Sequence, residues 1–394
     1  MEKTSVQSKR RIGLYWKILA VVGIVMVIGV VLAYVPGFGN RYAEKVYPKL
    51  YRVIAPVTNC FSFTLGEILM YAAAVIVAVT AVLLLIFGGI ALYRKLRAKG
   101  PMTGGARFLR VYMKCFLAIV VLGLWLFIFH WWIPYHDYVL GVKEHRRAFT
   151  LEEIQTARNN IVKRLNETIT KVPRGEDGKI LYPDSSQRFA VIREALRGLA
   201  ADYPRFEGYI AEPKSAICSD VLDWMNIGGF TYPYSMEATY NKYISDFYYY
   251  TLIAHEIAHN KGYYKENEAE FLGFLACYTS DDPLMVSAGC YYAFFDIDEY
   301  YVGVLYELYD EETALAIYNA QPKMSDLAVE DAVAAVEAAE EAYNADDHPL
   351  QEYSEVASDA ADIGWETQAE LIENNSYADV VYLIVEYFSD GKGR

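Results

Sequence analysis

Three long stretches free of Lys, Arg, Asp and Glu constrain this chain more than any other feature of its sequence. They cover residues 18–35, 68–92 and 115–133. A helix needs roughly 20 apolar residues to cross the hydrocarbon core of a bilayer, and each stretch is close to or above that length. The third stretch also contains adjacent tryptophans near its end, which suit a membrane–water interface. The sequence therefore predicts a membrane domain over residues 1–136 with three transmembrane helices.

The basic residues of this domain predict its orientation. Five Lys and Arg precede the first stretch and seven lie between the second and third, whereas four lie between the first and second. Membrane proteins keep their positively charged loops on the cytoplasmic side. We therefore expect a multi-pass protein of the cell membrane, with a cytoplasmic N-terminus and with residues 137–394 outside the cytoplasm.

The two parts of the chain carry opposite charge. Residues 1–136 contain 16 basic and 3 acidic side chains, whereas residues 137–394 contain 20 basic and 47 acidic ones. Such asymmetry indicates two environments, with the lipid bilayer as one partner of the chain. The acidic part has no glycine-rich phosphate loop, so we expect it to bind neither nucleic acid nor nucleotide.

The acidic part reads as one mostly helical domain. Thr150 and Glu153 form a capping-box pattern ahead of apolar residues at helical spacing. The sequence IGGFTYPYSMEATY is rich in β-forming residues and glycine, which predicts a short pair of strands. The expected fold class is therefore mainly α: three N-terminal transmembrane helices followed by a mostly helical extracytoplasmic domain with a short β-sheet.

The pattern HExxH gives the chain its strongest chemical signal. It reads His255-Glu256-Ile257-Ala258-His259 within an apolar, helix-compatible context. Residues four apart share a helix face, so both imidazoles can bind one Zn²⁺ ion. Glu256 lies one residue round, where its carboxylate can take a proton from the attacking water.

A third protein ligand is expected in the next helix. Gly262 can end the HExxH helix in a left-handed turn, and an acidic segment then begins a second helix. Glu266 and Glu270 share one face of that helix, whereas Glu268 points away. We expect Glu266 to be the third ligand, with Glu268 as the alternative, and Glu270 to hold a histidine ring.

The same residues carry family resemblances. E-x-x-A-E after HExxH resembles the E-x-x-A-D helix of membrane-linked gluzincin metallopeptidases, in which the leading glutamate binds zinc. The chain is also similar to a family of bacterial membrane proteins catalogued as domain of unknown function 3810, although Glu270 replaces the asparagine usual there. The matching segments are EKVYPKLYRVIAPVTNCFSFTLGEILMY, GGFTYPYSMEATYN, HEIAHNKGYYKENEAEFLGFLAC and SYADVVYLIVEYF.

These resemblances imply a zincin-like domain and further site residues. In HExxH zinc peptidases an edge strand beside the active-site helix binds the substrate backbone. We expect residues 230–238 to have this role, and we expect two tyrosines, Tyr263 and Tyr377, to be candidate donors to the oxyanion. The expected contact residues of the strand are Phe230, Tyr232, Tyr234 and Ala238.

The sequence thus predicts a membrane-anchored zinc metalloendopeptidase that hydrolyses peptides or proteins outside the cytoplasm. Glu256 would be the general base, and His255, His259 and Glu266 would bind the zinc. Two alternatives stay open at this point. One is a catalytically silent sensor or binding protein with a zinc fold, and the other is a scaffold of the cell envelope.

Overall fold

The computed structural model describes residues 13–97, 103–136, 140, 147–348, 351–359 and 378–391. Three helices in this part of the chain are long and apolar enough to cross a membrane, which confirms the three predicted helices. They are α1 (Leu14–Ala33), α4 (Leu65–Leu96) and a continuous rod made of α5 (Thr103–Phe127), a π-helical turn (Ile128–Trp132) and α6 (Ile133–Tyr135). The second and third of these helices extend beyond the apolar stretches at both ends. Backbone hydrogen bonding can continue a helix beyond the hydrocarbon core.

Two amphipathic helices, α2 (Phe38–Lys45) and α3 (Tyr47–Thr58), connect α1 to α4. They help to build a small apolar core that joins the ends of the membrane helices to the second half of the chain. Its buried members are Ala33, Tyr42, Tyr47, Tyr51, Ala55, Ile128, Ile133, Ala211, Met236 and Tyr264.

The second half is mostly helical, as predicted, and its first helix begins with the predicted capping box. Glu153 N donates to Thr150 Oγ1 over 3.3 Å, and Thr150 N donates to Glu153 Oε2 over 2.9 Å. The helices are α7 (Leu151–Ile169), α8 (Ser185–Gly198), α9 (Ser219–Trp224), α10 (Tyr249–Asn260), α11 (Glu266–Tyr278), α12 (Pro283–Leu308), α13 (Glu311–Asn319), α14 (Asp326–Ala345), α15 (354–359) and α16 (Ala378–Ser389). Short 3₁₀ turns occur at Leu199–Ala201, Pro204–Phe206 and Gln351–Tyr353.

Helix α10 lies at the centre of this half. All of its residues are buried, and α8, α11, α12 and the sheet pack around it. The side chains of Ile253, Ile257 and Ala258 are fully enclosed. The HExxH residues are therefore held by the main core of the domain.

Within the described residues, the strands form one three-stranded sheet in the order β1 (Lys214–Ser215), β3 (Glu237–Tyr240), β2 (Gly229–Tyr232). β1 runs parallel to β3, and β2 runs antiparallel to it. The predicted strand pair is confirmed.

Residues 230–238, however, do not form one edge strand. Only residues 230–232, in β2, lie on an edge strand, whereas Tyr234 lies in the turn and Ala238 lies on the central strand β3. The chain reverses here because Pro233 begins the turn and Met236 takes a left-handed φ of 54°.

The sheet is fixed to the first turn of α4 by two buried carboxylates. Glu237 on β3 accepts hydrogen bonds from the Leu65 and Gly66 backbone N–H groups at 3.2 and 2.8 Å. In the reverse direction, Glu67 on α4 accepts from the backbone N–H groups of Ile217 and Cys218 at 2.7 and 2.9 Å. Negative charge at the start of α4 also suits the helix dipole. The sheet and this membrane helix are therefore joined at a defined position.

Candidate metal centre

The turn after α10 brings the next helix back over the histidines. α10 ends at Asn260, and Gly262 takes a φ of 94°, which confirms the predicted glycine turn. Gly262 N donates to His259 O over 2.9 Å, and Tyr263 N donates to Ala258 O over 3.1 Å. This reversal places Glu266, the first residue of α11, beside α10.

Two histidines and one glutamate converge at this point. Glu266 Oε2 lies 3.3 Å from His255 Nε2 and 3.4 Å from His259 Nε2. The three possible ligand atoms lie within 4.8 Å of one another, and the described residues contain no other such group. Ligands about 2.0–2.1 Å from a tetrahedral zinc ion lie about 3.3 Å apart, so the two distances from Glu266 Oε2 fit the ion.

The other nitrogen of each imidazole is also occupied. His255 Nδ1 lies 3.0 Å from Glu270 Oε2, as predicted for Glu270, and His259 Nδ1 lies 2.8 Å from the Tyr263 carbonyl oxygen. A carbonyl only accepts hydrogen bonds, so His259 Nδ1 carries a proton, and in the neutral ring this leaves the lone pair that a metal requires on Nε2. Partners of this kind orient metal-binding histidines.

The charges of the cluster favour a cation. Burial disfavours the charged form of His255, but its hydrogen bonds to Glu266 and Glu270 outweigh this effect and raise its pKa well above the usual value. Burial alone would raise the pKa of Glu266, yet the neighbouring His259 and the bonds from both imidazoles lower it far below the usual value. Positive charge is thus stabilised at the point where the three side chains meet.

Glu256 follows His255 on α10 and faces the edge strand β2. Thr231 Oγ1 donates to Glu256 Oε2 over 2.9 Å and also lies 3.1 Å from the Glu256 carbonyl oxygen. On the other side, a Cβ added to Gly229 would lie 2.6 Å from Glu256 Oε1, so only glycine leaves room for the carboxylate. Burial raises the pKa of Glu256 above the usual value of a glutamate, and the nearby histidines partly oppose this shift.

The register of β2 shows which of its backbone groups face outward. Asn241 N donates to Gly228 O over 2.7 Å, so these two residues form a hydrogen-bonded pair. Because such pairs alternate in an antiparallel ladder, Phe230 and Tyr232 bond to β3, whereas the N–H and C=O groups of Gly229 and Thr231 point away from the sheet. No strand in the described part of the chain pairs with this edge, which lies at the two residues that hold Glu256.

The other predicted site residues lie elsewhere. Glu268 accepts a hydrogen bond from Leu140 N over 3.0 Å and does not join the histidines. Tyr263 reaches the site through its carbonyl group, and its buried ring packs against Phe206 and under Arg205. Tyr377 lies outside the described residues, so its proposed role stays a prediction.

The predicted contact residues of the strand face away from Glu256. Phe230 and Tyr232 lie on the opposite face of β2 from Thr231, because successive strand residues alternate. Tyr234 is partly exposed in the turn, and Ala238 is buried on β3. Sequence reasoning missed Gly229 and Thr231, although the same alternation could have separated the two faces once β2 was located.

A family model described as "Protein of unknown function (DUF3810)" matches residues 42–360, which is most of the chain. The chain belongs to the DUF3810 family. The matched residues include the sheet and helices α10 and α11, whereas the similarity expected around Tyr377 lies beyond the match. No curated protein and no solved structure matches the chain. The family description gives no activity, so the function of this DUF3810 protein has to be argued from its site.

The DUF3810 site has one more residue that sequence reasoning missed. The Tyr264 ring stacks beside His259, with 6.3 Å between ring centroids and 20° between planes. Its hydroxyl lies 2.9 Å from the Tyr47 hydroxyl, and Tyr47 in turn donates to Asn260 O over 3.1 Å. The connection between α1 and α4 therefore contacts α10 at its C-terminal end and, through Tyr264, beside His259. Tyrosine is too common in this sequence for the pattern to have stood out.

Proposed function

We propose that this DUF3810 protein is a membrane-anchored, zinc-dependent peptidase that hydrolyses peptide bonds outside the cytoplasm. The observation that carries the proposal is the combined geometry of the site. Three donors with the spacing of a zinc site lie next to a buried carboxylate, and that carboxylate lies beside an open strand edge.

Three side chains would bind the metal, and a fourth would transfer the proton. His255, His259 and Glu266 would hold the zinc ion. When bound, zinc supplies a Lewis acid that polarises a carbonyl group and makes water more acidic. Glu256 would accept the proton of the attacking water and pass it to the leaving amine.

Two residues of β2 would position Glu256 and bind the substrate backbone. Thr231 fixes one carboxylate oxygen of Glu256 with a hydrogen bond. The outward N–H and C=O groups of Gly229 and Thr231 can pair with an extended peptide, which would lie beside β2 as an added strand. In this proposal the substrate backbone binds to Gly229 and Thr231, whereas the side chains of Phe230 and Tyr232 lie on the far face of the strand.

Replacing Glu256 with glutamine tests the proposal. Glutamine keeps the shape of the side chain and an acceptor for Thr231, so the fold and the metal should be retained. We expect hydrolysis of casein-derived peptides by the full-length protein in detergent to fall by about 10²–10⁴-fold, the usual contribution of general acid–base catalysis. Undiminished hydrolysis by the glutamine variant would rule out the assigned base. A zinc-loaded wild type that cleaves no peptide would favour the alternative of a silent zinc-binding protein.

The proposed location has its own test. The second half of the chain packs on the ends of α1, α4 and α6 that the charge pattern places outside the cytoplasm. A Glu341→Cys variant, with Cys60, Cys115 and the half-buried Cys218 replaced by serine, should react with a membrane-impermeant maleimide on intact cells. The matched Lys95→Cys variant, at the other end of α4, should react only after the cells are opened. The reverse pattern would place the site in the cytoplasm.

A further inference from the structure

The surface of α4 marks where the lipid begins. In its first turn, Gly66 packs against Tyr232, and Glu67 is only 2% exposed. The apolar side chains that follow directly are exposed, namely Ile68, Leu69, Met70 and Tyr71. An exposed apolar surface on a helix of this length is a lipid-facing surface. The hydrocarbon therefore begins within about one helical turn, roughly 5 Å, of Gly66.

The length of α1 independently indicates that the site lies close to the bilayer surface. Its 20 residues span about 30 Å, which is about the thickness of the hydrocarbon core. The ends of α1 must therefore lie close to the two surfaces of the bilayer. Its last residue, Ala33, is buried in the small core with Met236 and Tyr264, and Tyr264 precedes the metal-binding Glu266 by two positions.

Aromatic rings connect the third membrane helix to the metal-binding face. The Trp131 ring lies 6.4 Å from the Tyr264 ring, which in turn lies 6.3 Å from the His259 ring. Tryptophan near the end of a membrane helix belongs to the interfacial layer. One tyrosine ring thus separates that layer from a proposed zinc ligand.

Strand β2 leads from the site to the membrane. Its first residue, Gly229, lies beside Glu256, and its last residue, Tyr232, lies on Gly66 of α4. The next residue, Pro233, has its carbonyl oxygen 2.9 Å from Nδ1 of His130, near the end of the third membrane helix. Three steps of about 3.3 Å separate Gly229 from Tyr232, so the site lies only about 10 Å from the membrane end of the strand.

Exposed aromatic residues occur on β2 and just before α4. Phe230 is 45% exposed and shares a strand face with Tyr232, whose ring centroid lies 4.9 Å away. Phe61 and Phe63, just before α4, are also exposed and contact each other. Exposed aromatic rings near the membrane end of α4 are more favourable at the lipid–water interface than in bulk water.

From these contacts we infer that the substrate is a polypeptide anchored in the same bilayer, cut a few residues from the membrane surface. A chain that leaves the bilayer beside the first turn of α4 can pair directly with the outer edge of β2. It then passes Thr231 and reaches Glu256 after about three to five extended residues. The inference rests on the proposed peptidase function and names the class of substrate for that same site.

A lipid-anchored substrate that carries three copies of one cleavage site tests this inference. A peptide cleaved by the detergent-solubilised protein is repeated three times in tandem, joined at one end to a palmitoyl chain, and mixed into phosphatidylethanolamine–phosphatidylglycerol vesicles that contain the full-length protein. Tethering raises the local concentration of all three copies together, so position alone distinguishes them. We expect the copy next to the lipid to be cut at least tenfold faster than the distant copies, as measured by mass spectrometry.

The outcomes separate this inference from the peptidase function. Equal cleavage of all copies, or cleavage of the free peptide as fast as the lipidated one, overturns the inference and leaves the peptidase function standing. Failure to cleave any peptide overturns both. A Phe230→Asp variant should lose the preference for the near copy and still cleave the free peptide. The matched variant Phe295→Asp, which changes an equally exposed phenylalanine on α12, should keep the preference.

Discussion

A methyl group added at Gly66 tests how rigidly the sheet is docked on the second membrane helix. An alanine Cβ at this position would lie 2.5 Å from Cβ and Cγ of Tyr232 and from Oγ of Ser235. Carbon atoms in ordinary contact lie about 3.5–4.0 Å apart, so the strand or the helix must move by about 1 Å. Cβ of Tyr232 moves only with its backbone, and overpacking of this kind costs about 1–3 kcal/mol.

The same helix offers matched controls for the Gly66→Ala variant. Gly88 and Gly89 have no atom within 4 Å of an added Cβ, so Gly88→Ala and Gly89→Ala should be neutral or slightly stabilising. Thermal unfolding of the full-length protein in detergent should show a loss of about 2–4 °C per kcal/mol for Gly66→Ala alone. Hydrogen exchange should also become faster in β2 for this variant only. If all three variants unfold at the wild-type temperature, the sheet is not docked on α4 as described.

Three further predictions follow from contacts in the second half. Thr231→Val removes the hydroxyl that donates a hydrogen bond to Glu256. A hydrogen bond to a charged group contributes about 1.5–3 kcal/mol. Peptide hydrolysis should therefore fall roughly tenfold or more at unchanged zinc content. Thr231→Ser keeps the hydroxyl and should keep most of the rate; a fully active valine variant would show that the contact is dispensable. Glu237→Ala leaves the buried ammonium of Lys214 without its carboxylate, 2.6 Å away in the wild type, and should lower the free energy of unfolding by about 3 kcal/mol in urea titrations. Ile161→Ala opens a cavity in the fully buried face of α7 and should cost about 2–5 kcal/mol in the same titrations, whereas a loss below 1 kcal/mol would contradict the packing described for this helix.

The sequence predicted those features of the fold that depend on local pattern. Long uncharged runs identified the membrane helices, and the capping box at Thr150 identified the start of α7. The cluster of His255, His259 and Glu266 could also be predicted, because these residues are separated by one helix turn and one glycine turn. Their relative positions follow from helical geometry and the left-handed conformation of Gly262.

Contacts between distant segments could not be predicted in this way. Nothing in the sequence near Glu67 or Glu237 indicates that these carboxylates bind backbone groups about 150 or 170 residues away in the chain. Thr231 looked like any β-forming residue until the sheet brought it to Glu256. The segment 230–238 was read as one strand because Phe230, Tyr232 and Tyr234 favour strands. The positive φ that helps to reverse the chain falls on Met236, where no glycine indicates a turn.

The metal content of matched glutamine variants shows whether His255, His259 and Glu266 bind zinc. Full-length wild type, Glu266→Gln and Glu268→Gln are purified in detergent with limiting zinc in the medium and examined by elemental mass spectrometry. We expect one zinc ion per chain in the wild type and in Glu268→Gln, whose amide can still accept the bond from Leu140 N. Glu266→Gln should lose most of the metal, because its carboxylate lies between both imidazoles. A wild type without bound metal, or a Glu266→Gln variant that retains zinc in full, would contradict the account.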